Sequence, residues 1–412
     1  MKKKTHHQPS RVQPTVLRQL VELIPAYLVP KLARQHGVNE QARTFSPWSH
    51  VVALLYAQLT HALSLNDVCD ALWSWTTPLR GLRGATPPSR NALSHANKIR
   101  DCAMAEQLFW QVLQHLQHVH PAFGRGPTRG LAWRFRRAIH VVDTTVIELV
   151  ASCLDWAQHR RRKAAAKCHV RLGLRSLLPE LVVVSSAHEA DVTRARQLCA
   201  GLRPGEIVLF DRAYLWLSHC WELTQRDVFF VTRAREGMCW RVVERRCSND
   251  PRILADESVV ATGRWVHGDY PKALRRVTAR VTLDGQERIL VFLTNNFIWS
   301  ARSVADLYRA RWQIEAFFKQ IKQTLQLADF LGHSANAVQW QVWIALLVYV
   351  LLRFQAWCSR WAHSFARLFT LARATLWQRR DLAQLLRRYG TADGDFAFLG
   401  RSVQSWLPGF VP

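Results

Sequence analysis

The chain has 412 residues, 49% of them hydrophobic, which suggests about two or three packed domains and excludes a disordered chain. Lysine and arginine number 56 against 30 aspartates and glutamates, a formal net charge of +26. That balance points to a polyanionic partner, nucleic acid first and an anionic membrane surface as its rival. Most of the positive charge is arginine, the better residue for gripping phosphate with two donors. Nine scattered cysteines, without a C-x-x-C pair or Cys/His zinc spacing, fit a reducing compartment rather than a disulfide scaffold.

The start, Met1-Lys2-Lys3-Lys4, is charged, but no apolar run follows it, so no signal peptide is expected. From about 14 to 120 the chain reads as mostly helical, with helices expected over Val16–Ala33, Trp48–Leu63, Asn66–Trp75 and Met104–His118. Thr86-Pro87-Pro88 precedes Ser89, which reads as the N-cap of a short polar helix to Lys98. With Asn66–Trp75 before it, this helix suits a helix-turn-helix-like reader with Arg90, Asn91, Ser94 and Lys98 outward. An ordinary surface helix of a small bundle is the other reading. Pro121–Gly130, rich in glycine and proline, reads as a linker.

The pattern then changes to strands alternating with helices, which points to an α/β sheet core. Ala138–Asp143 is an apolar run ending in a carboxylate. Val170–Leu177 and Glu180–Ser186 read as a hairpin around Pro179, and Asp191 as the cap of a helix over Val192–Ala200. Glu206–Asp211 is a second apolar run ending in aspartate. A helix over Ser218–Thr224 and a strand over Val228–Thr232 follow, then alternating short β runs from about 234 to 296, including Arg276–Leu283 and Glu287–Thr294. The apolar run Val342–Leu352 is short for a bilayer span of about 20 residues, so a buried core helix is expected there.

The segment Asp306–Lys322 reads as a helix, with Ser303 three residues before Asp306 as a capping-box-like start. At roughly 100° per residue, Tyr308, Arg311, Glu315 and Lys322 fall within an arc of about 60°. Leu307, Ile314, Phe317, Phe318, Ile321 and Leu325 form an adjacent apolar arc. A carboxylate beside two cations and a phenol suits a metal-dependent phosphodiester site. An amphipathic helix with an Arg311–Glu315 ion pair is the plainer reading. Two strand-end aspartates, Asp143 and Asp211, would complete a three-carboxylate Mg²⁺ site. The cations Arg160, Arg161, Arg162, Lys163, Lys167, His169 and Arg171 read as a phosphate-contacting patch, with a solvated loop as the alternative.

The spacing Tyr308-x2-Arg311-x3-Glu315-x6-Lys322 resembles the YREK signature of cut-and-paste DDE transposases of bacterial insertion sequences. Asp143-Thr144-Thr145 and Asp211-Arg212-Ala213-Tyr214 look like that family's two aspartate motifs. Thr44-Phe45-Ser46 and Ala57-Gln58-Leu59-Thr60 look like the leading domain of one subgroup. The resemblance implies an α/β, RNase H-like catalytic core over about 131–233 and 299–335, interrupted by a β-rich insertion over 234–298. A helical DNA-binding domain over 1–130 would precede it, and a helical region over 336–412 would follow. It also implies Asp143, Asp211 and Glu315 as the catalytic metal ligands for Mg²⁺ or Mn²⁺. Tyr308, Arg311 and Lys322 would contact phosphates near the cleaved end. Arg160, Arg162, Lys163, Lys167, Arg90 and Lys98 would be further DNA contacts. The partners would be double-stranded DNA, as element ends and target, and a second copy of the chain in a homodimer on DNA. A membrane is not expected, and the compartment would be the bacterial cytoplasm. A nuclease or resolvase of the same fold, or a non-enzymatic DNA-binding protein derived from a transposase, remain the alternatives. Some relatives carry a base-stacking tryptophan in the strand before the signature helix. Here that strand reads Ile289-Leu290-Val291-Phe292-Leu293-Thr294, leaving Trp240, Trp265 and Trp299 as substitutes.

Overall fold

The computed structural model describes residues 13–38, 44–125, 134–149, 158–160, 163–186, 191–262, 269–283, 286–324 and 332–389. They divide into two compact units. One draws on Met1–Leu116, Thr324–Gly332 and Asn336–Pro412, the other on Gln117–Gln323 and His333–Ala335.

The first unit is helical. Its opening stretch is not one helix over 16–33 but two, α1 (Val16–Val21) and α2 (Leu28–Gln35). Pro25 lies between them, and a proline ring disfavours helical backbone in the residue before it. Ser46 caps α3 (Pro47–Thr60), and a Ser64–Asp67 capping box starts α4 (Leu65–Ser74). A short α5 (Thr76–Arg80) follows, then α6 (Arg90–Ile99), capped by Ser89, and α7 (Ala103–Val119).

The second unit is built on one sheet of ten strands. In chain order they are β1 (Ile139–Leu149), β2 (Gln158–Arg160), β3 (Lys163–Gly173), β4 (Pro179–Ser186), β5 (Ile207–Phe210), β6 (Phe229–Arg233), β7 (Trp240–Arg245), β8 (Ile253–Ala261), β9 (Leu274–Leu283) and β10 (Gln286–Thr294). The spatial order is β2-β3-β1-β5-β6-β10-β9-β8-β7, with β4 also on β3. β1, β5 and β6 are parallel; the other pairs are antiparallel. The β-type runs after residue 234 therefore extend the core sheet through β10 rather than forming a sheet of their own. Two helices, α8 (Asp191–Cys199) and α9 (Leu217–Gln225), bury Leu198 and Leu223 in a cluster with Val142, Phe210, Tyr214 and Phe230.

The segment before the C-terminal helices departs from a single continuous helix. It runs as α10 (Ala301–Ala310), α11 (Gln313–Lys319) and a wider π-type turn, Gln320–Thr324. Ser300, not Ser303, is the N-cap; its side chain accepts from the Ser303 N–H. Between α10 and α11 the backbone tightens to i→i−3 bonds, Arg311 N to Tyr308 O and Ile314 N to Arg311 O, each 3.0 Å. The apolar arc still buries: Leu307, Ile314, Phe317, Phe318 and Ile321 are all inside. Leu325 lies outside the described residues. α10 packs on β6, β9 and β10, and α11 on β1.

α12 (Ala335–Cys358), α13 (Phe365–Ala374) and α14 (Leu382–Tyr389) follow, and from Asn336 onward they share a unit with α1 to α7. Val16 and Leu17 donate to the carbonyls of Gln378 and Leu376 at 3.1 and 2.9 Å, and Trp340 Nε1 donates to Arg100 O at 2.7 Å. α12 is long and apolar enough to cross a bilayer by length and composition, but 83% of its apolar window is buried inside the protein, as in a core helix.

Candidate active site

β1 and β5 run parallel in register from Ile139 opposite Ile207 to Val142 opposite Phe210. Asp143 and Asp211 are the next residue on each strand, so the two aspartates stand at the same level on neighbouring strands. Asp143 does not end its strand. β1 continues to Leu149 alongside β3, through a run of β-branched residues that favours strand. What ends at Asp143 is the pairing with β5. Asp211 heads the 3₁₀ turn Arg212–Tyr214, yet its side chain makes no cap hydrogen bond there. The turn therefore leaves its carboxylate available for other work.

Glu315 comes from the first turn of α11, and Arg311 from the junction before it. The buried Arg311 guanidinium donates to Asp143 Oδ2 at 2.7 Å and to Glu315 Oε1 at 2.9 Å. The buried Tyr308 hydroxyl donates to Asp211 Oδ1 at 2.9 Å. All three carboxylates thus meet side chains of one short segment. The Arg311–Glu315 pair of an amphipathic helix is present, but it is half of a fork whose other prong holds Asp143.

One fixed cation serves three anions here. Burial pushes the Asp143 carboxyl up to about 6; Arg311 and the Thr144 N–H pull it down, and Asp211 and Glu315 add to the rise. Burial works against the Arg311 charge, but Tyr308 and the three carboxylates more than offset it and hold its pKa above the usual value. The Tyr308 phenol is raised chiefly by burial, so it is protonated at neutral pH. Among the described residues no three His, Cys, Asp or Glu side chains are grouped ready to hold an ion. The reason is visible at Arg311, which takes the facing oxygens of Asp143 and Glu315. The donor chemistry itself fits a hard divalent cation: oxygens only, with negative charge in excess of the one guanidinium.

The other expected site residues belong to other elements. Lys322 is exposed on the π-type turn, and Lys167 is half-buried in β3. Arg162 and the side chains of Arg160 and Lys163 lie outside the described residues. Arg90, Asn91, Ser94 and Lys98 are exposed on α6. Two members of the expected basic patch are otherwise engaged. His169 is fully buried against Thr144, and Arg171 pairs with Glu180 at 3.3 Å and donates to Leu198 O. Strand period 2 placed them on a covered face. Trp299 packs edge-on against Phe135 and Phe229, Trp240 joins the sheet core, and Trp265 lies outside the described residues.

Residues 134–351 match the family described as Transposase DDE domain, and residues 12–82 match a domain of unknown function, DUF4372. A putative transposase of Sinorhizobium fredii is 30% identical over 304 residues, 73% of this chain and 81% of that one. A probable transposase for an insertion sequence element of Geobacillus stearothermophilus is 28% identical over 223 residues, 54% of this chain and 57% of that one. An insertion-sequence transposase of Escherichia coli is 28% identical over 169 residues, 39% of this chain and 37% of that one. A solved structure of the piggyBac transposase with hairpin DNA aligns with a TM-score of 0.43 at 9% identity, over 93% of this chain and 83% of that one, too distant to carry an argument. A DDE-domain match over more than half of its length, with an insertion-sequence relative alike along most of both chains, means that the chain belongs to the DDE-domain transposases.

Proposed function

We propose that this DNA transposase cuts the ends of an insertion sequence and joins them to target DNA, using Asp143, Asp211 and Glu315 as catalytic, metal-binding carboxylates. The observation that carries the reading is the convergence of all three on Arg311 and Tyr308. The strand order β4-β3-β1-β5-β6, parallel from β1 onward, supports an RNase H-like core with β7 to β10 in the insertion over 234–298. The spacing of Tyr308, Arg311, Glu315 and Lys322 supports membership of the YREK subgroup. Transposase relatives favour neither a simple nuclease nor a non-enzymatic DNA binder.

Bound at these carboxylates, Mg²⁺ or Mn²⁺ would activate the attacking water and stabilise the leaving oxygen. The chain's own groups do the rest. Asp143 must be ionised to act as a ligand; burial raises its carboxyl in the metal-free chain, and a bound cation would favour the ionised form. Arg311 neutralises part of the carboxylate charge until DNA arrives. Its Nε is buried without a hydrogen-bond partner, and offering that donor to a phosphate oxygen would require the fork to turn outward. Tyr308 holds Asp211 by donation. In the reaction, water adds to the phosphorus at the element end and the bond to the 3′ oxygen breaks. That oxygen takes a proton and leaves as a 3′-hydroxyl. The hydroxyl then attacks a target phosphodiester: its oxygen bonds to phosphorus, the bond to the target strand's 3′ oxygen breaks, and that oxygen leaves with the proton the hydroxyl gave up.

Lys322, Lys167, Arg160, Arg162 and Lys163 serve as phosphate contacts in this reading, and Arg90 and Lys98 on α6 as contacts to the element ends. Two copies act together on the DNA. The test is Asp143→Asn and Glu315→Gln on a duplex carrying the element's terminal sequence. Both variants should lose strand cleavage in Mg²⁺ yet keep end binding close to wild type. Cleavage at the wild-type rate by either, or cleavage that survives EDTA, overturns the assignment.

A further inference from the structure

We propose that Thr144, His169 and Tyr214 form a buried positioning network that fixes the first aspartate strand against the turn bearing the second; the inference rests on the triad reading above. Thr144 follows Asp143 in β1, and its N–H donates to Asp143 Oδ1 at 2.8 Å. Successive strand side chains point to opposite faces, so Thr144 turns away from Arg311, toward the face where Val142 packs with Tyr214. There Thr144 Oγ1 meets His169 Nδ1 at 2.6 Å, directly across the ladder in β3. The same oxygen meets the Tyr214 hydroxyl. His169 is fully buried, and its Nε2 reaches Ser185 Oγ of β4 at 3.1 Å. Tyr214 closes the 3₁₀ turn that Asp211 opens and is 1% exposed.

A chain of polar contacts therefore runs from β4 through β3 and β1 to the turn after β5. At its centre sits the residue whose N–H holds one catalytic aspartate. At its end sits the turn that carries the other. A covered sheet face needs no such groups for stability, since apolar residues of equal volume would fill it without the cost of burying polar atoms. What the network adds is a fixed spacing between Asp143 and Asp211. None of its members touches DNA or the reacting atoms in this reading; they act through the two aspartates. The scale of the effect follows from outer-shell partners of metal ligands, whose loss costs about 10–100-fold in affinity or activity.

The experiment compares Thr144→Val, Thr144→Ser, Tyr214→Phe and Asp143→Asn in the full chain. Four readouts are needed: melting temperature, binding to the element-end duplex, single-turnover cleavage across a Mg²⁺ titration, and Mn²⁺ binding followed by its paramagnetic signal. Thr144→Val and Tyr214→Phe should slow cleavage by about 10–100-fold, with weaker Mn²⁺ binding and unchanged end binding. Thr144→Ser, which keeps the oxygen, should restore both. Tyr214→Phe, which removes one oxygen only, carries the test if Thr144→Val does not fold. The proposal is overturned if Thr144→Val and Tyr214→Phe cleave and bind Mn²⁺ as wild type does, if serine restores nothing, or if the loss disappears per folded molecule. Asp143→Asn separates the two levels. If it cleaves, the triad reading falls; if it is inactive while the network variants are normal, only the network falls.

Discussion

Two buried arginines of the sheet unit face carboxylates, and they are built differently. Arg275 of β9 lies against Asp256 of β8, the pair 3% and 5% exposed. Its Nε and one terminal nitrogen donate to the two Asp256 oxygens at 2.8 and 2.7 Å, and the other terminal nitrogen donates to the carbonyls of Asn296 and Trp299. Each of its three nitrogens donates, to partners that cannot leave. Arg311 divides its fork between two carboxylates, one of them 55% exposed, and its Nε is unspent. The first arrangement is closed and structural. The second is open, with more negative charge around it than it neutralises, as suits a group that gives up its partners when substrate arrives.

The largest expected effect tests the closed pair. Arg275→Met leaves Asp256 buried and unpaired and should cost about 3–5 kcal/mol in urea unfolding, as for other broken buried pairs. Replacing both, Arg275→Met with Asp256→Leu, should recover most of that loss. Arg311→Met should cost clearly less than Arg275→Met, because Asp143 can take a proton and Glu315 is solvated. Equal losses at the two arginines would erase the distinction.

The second effect belongs to the open pair alone. Asp143 is raised from 3.8 to about 6, so the folded chain holds this proton more tightly than the unfolded chain does. The resulting stabilisation is fully present below about pH 4 and is lost as pH rises through about 6, an amount on the order of 3 kcal/mol at 1.36 kcal/mol per pH unit. Metal-free wild type should therefore lose stability between pH 4 and pH 7 relative to Asp143→Asn, in which the group is absent. Melting curves of the two proteins that stay parallel across that range would contradict the crowding of charge at Asp143.

How much of this was legible in the sequence follows the physics of each signal. The apolar runs ending at Asp143 and Asp211 did become neighbouring strands, because after the antiparallel β3 and β4 the helix α8 carries the chain back and lays β5 parallel to β1. The spacing of Tyr308, Arg311 and Glu315 did put them on one side, since i,i+3 and i,i+4 neighbours stay close through a tightened turn. That same tolerance hid the break at Arg311 and Trp312, which the residue pattern does not mark. Pro25, by contrast, does mark the break between α1 and α2. The basic run Lys167-x-His169-x-Arg171 looked like a phosphate patch because charge suggests a surface. Its strand alternation, with Cys168 and Val170 between, was the available sign that the segment is covered on both faces. Nothing local revealed the Thr144–His169–Tyr214 contact, which depends on ladder register and a turn some 70 residues away.

The third effect is on rate. Arg311→Ala should raise the barrier to strand cleavage by roughly 1.5–3 kcal/mol, the contribution of a hydrogen bond to a charged group, while end binding falls less. If Arg311 were only a helix partner of Glu315, its loss would cost about 0.2–0.5 kcal/mol of stability and leave cleavage per folded molecule unchanged. Single-turnover rates and a melting curve on the one variant decide between these outcomes.

The smallest effect tests cations of a third kind, those on α6 that face solvent. Arg90 and Lys98 are exposed, and their helix is held from its other side by buried Leu93, Ala96 and Asn97. Replacing either with alanine should therefore leave the fold alone. If each meets one phosphate, neutralisation releases counterions, and the slope of log affinity against log salt is steeper by about 0.9 per contact. The double variant Arg90→Ala, Lys98→Ala should flatten that slope by roughly 1.8 on an element-end duplex. Arg90, in the first turn of α6, is also where a recognition helix reads base edges, so its loss should narrow the preference for element ends over unrelated DNA. Lys98, in the last turn, should weaken both duplexes alike. An unchanged slope would make these solubilising charges, and α6 a surface helix of the bundle.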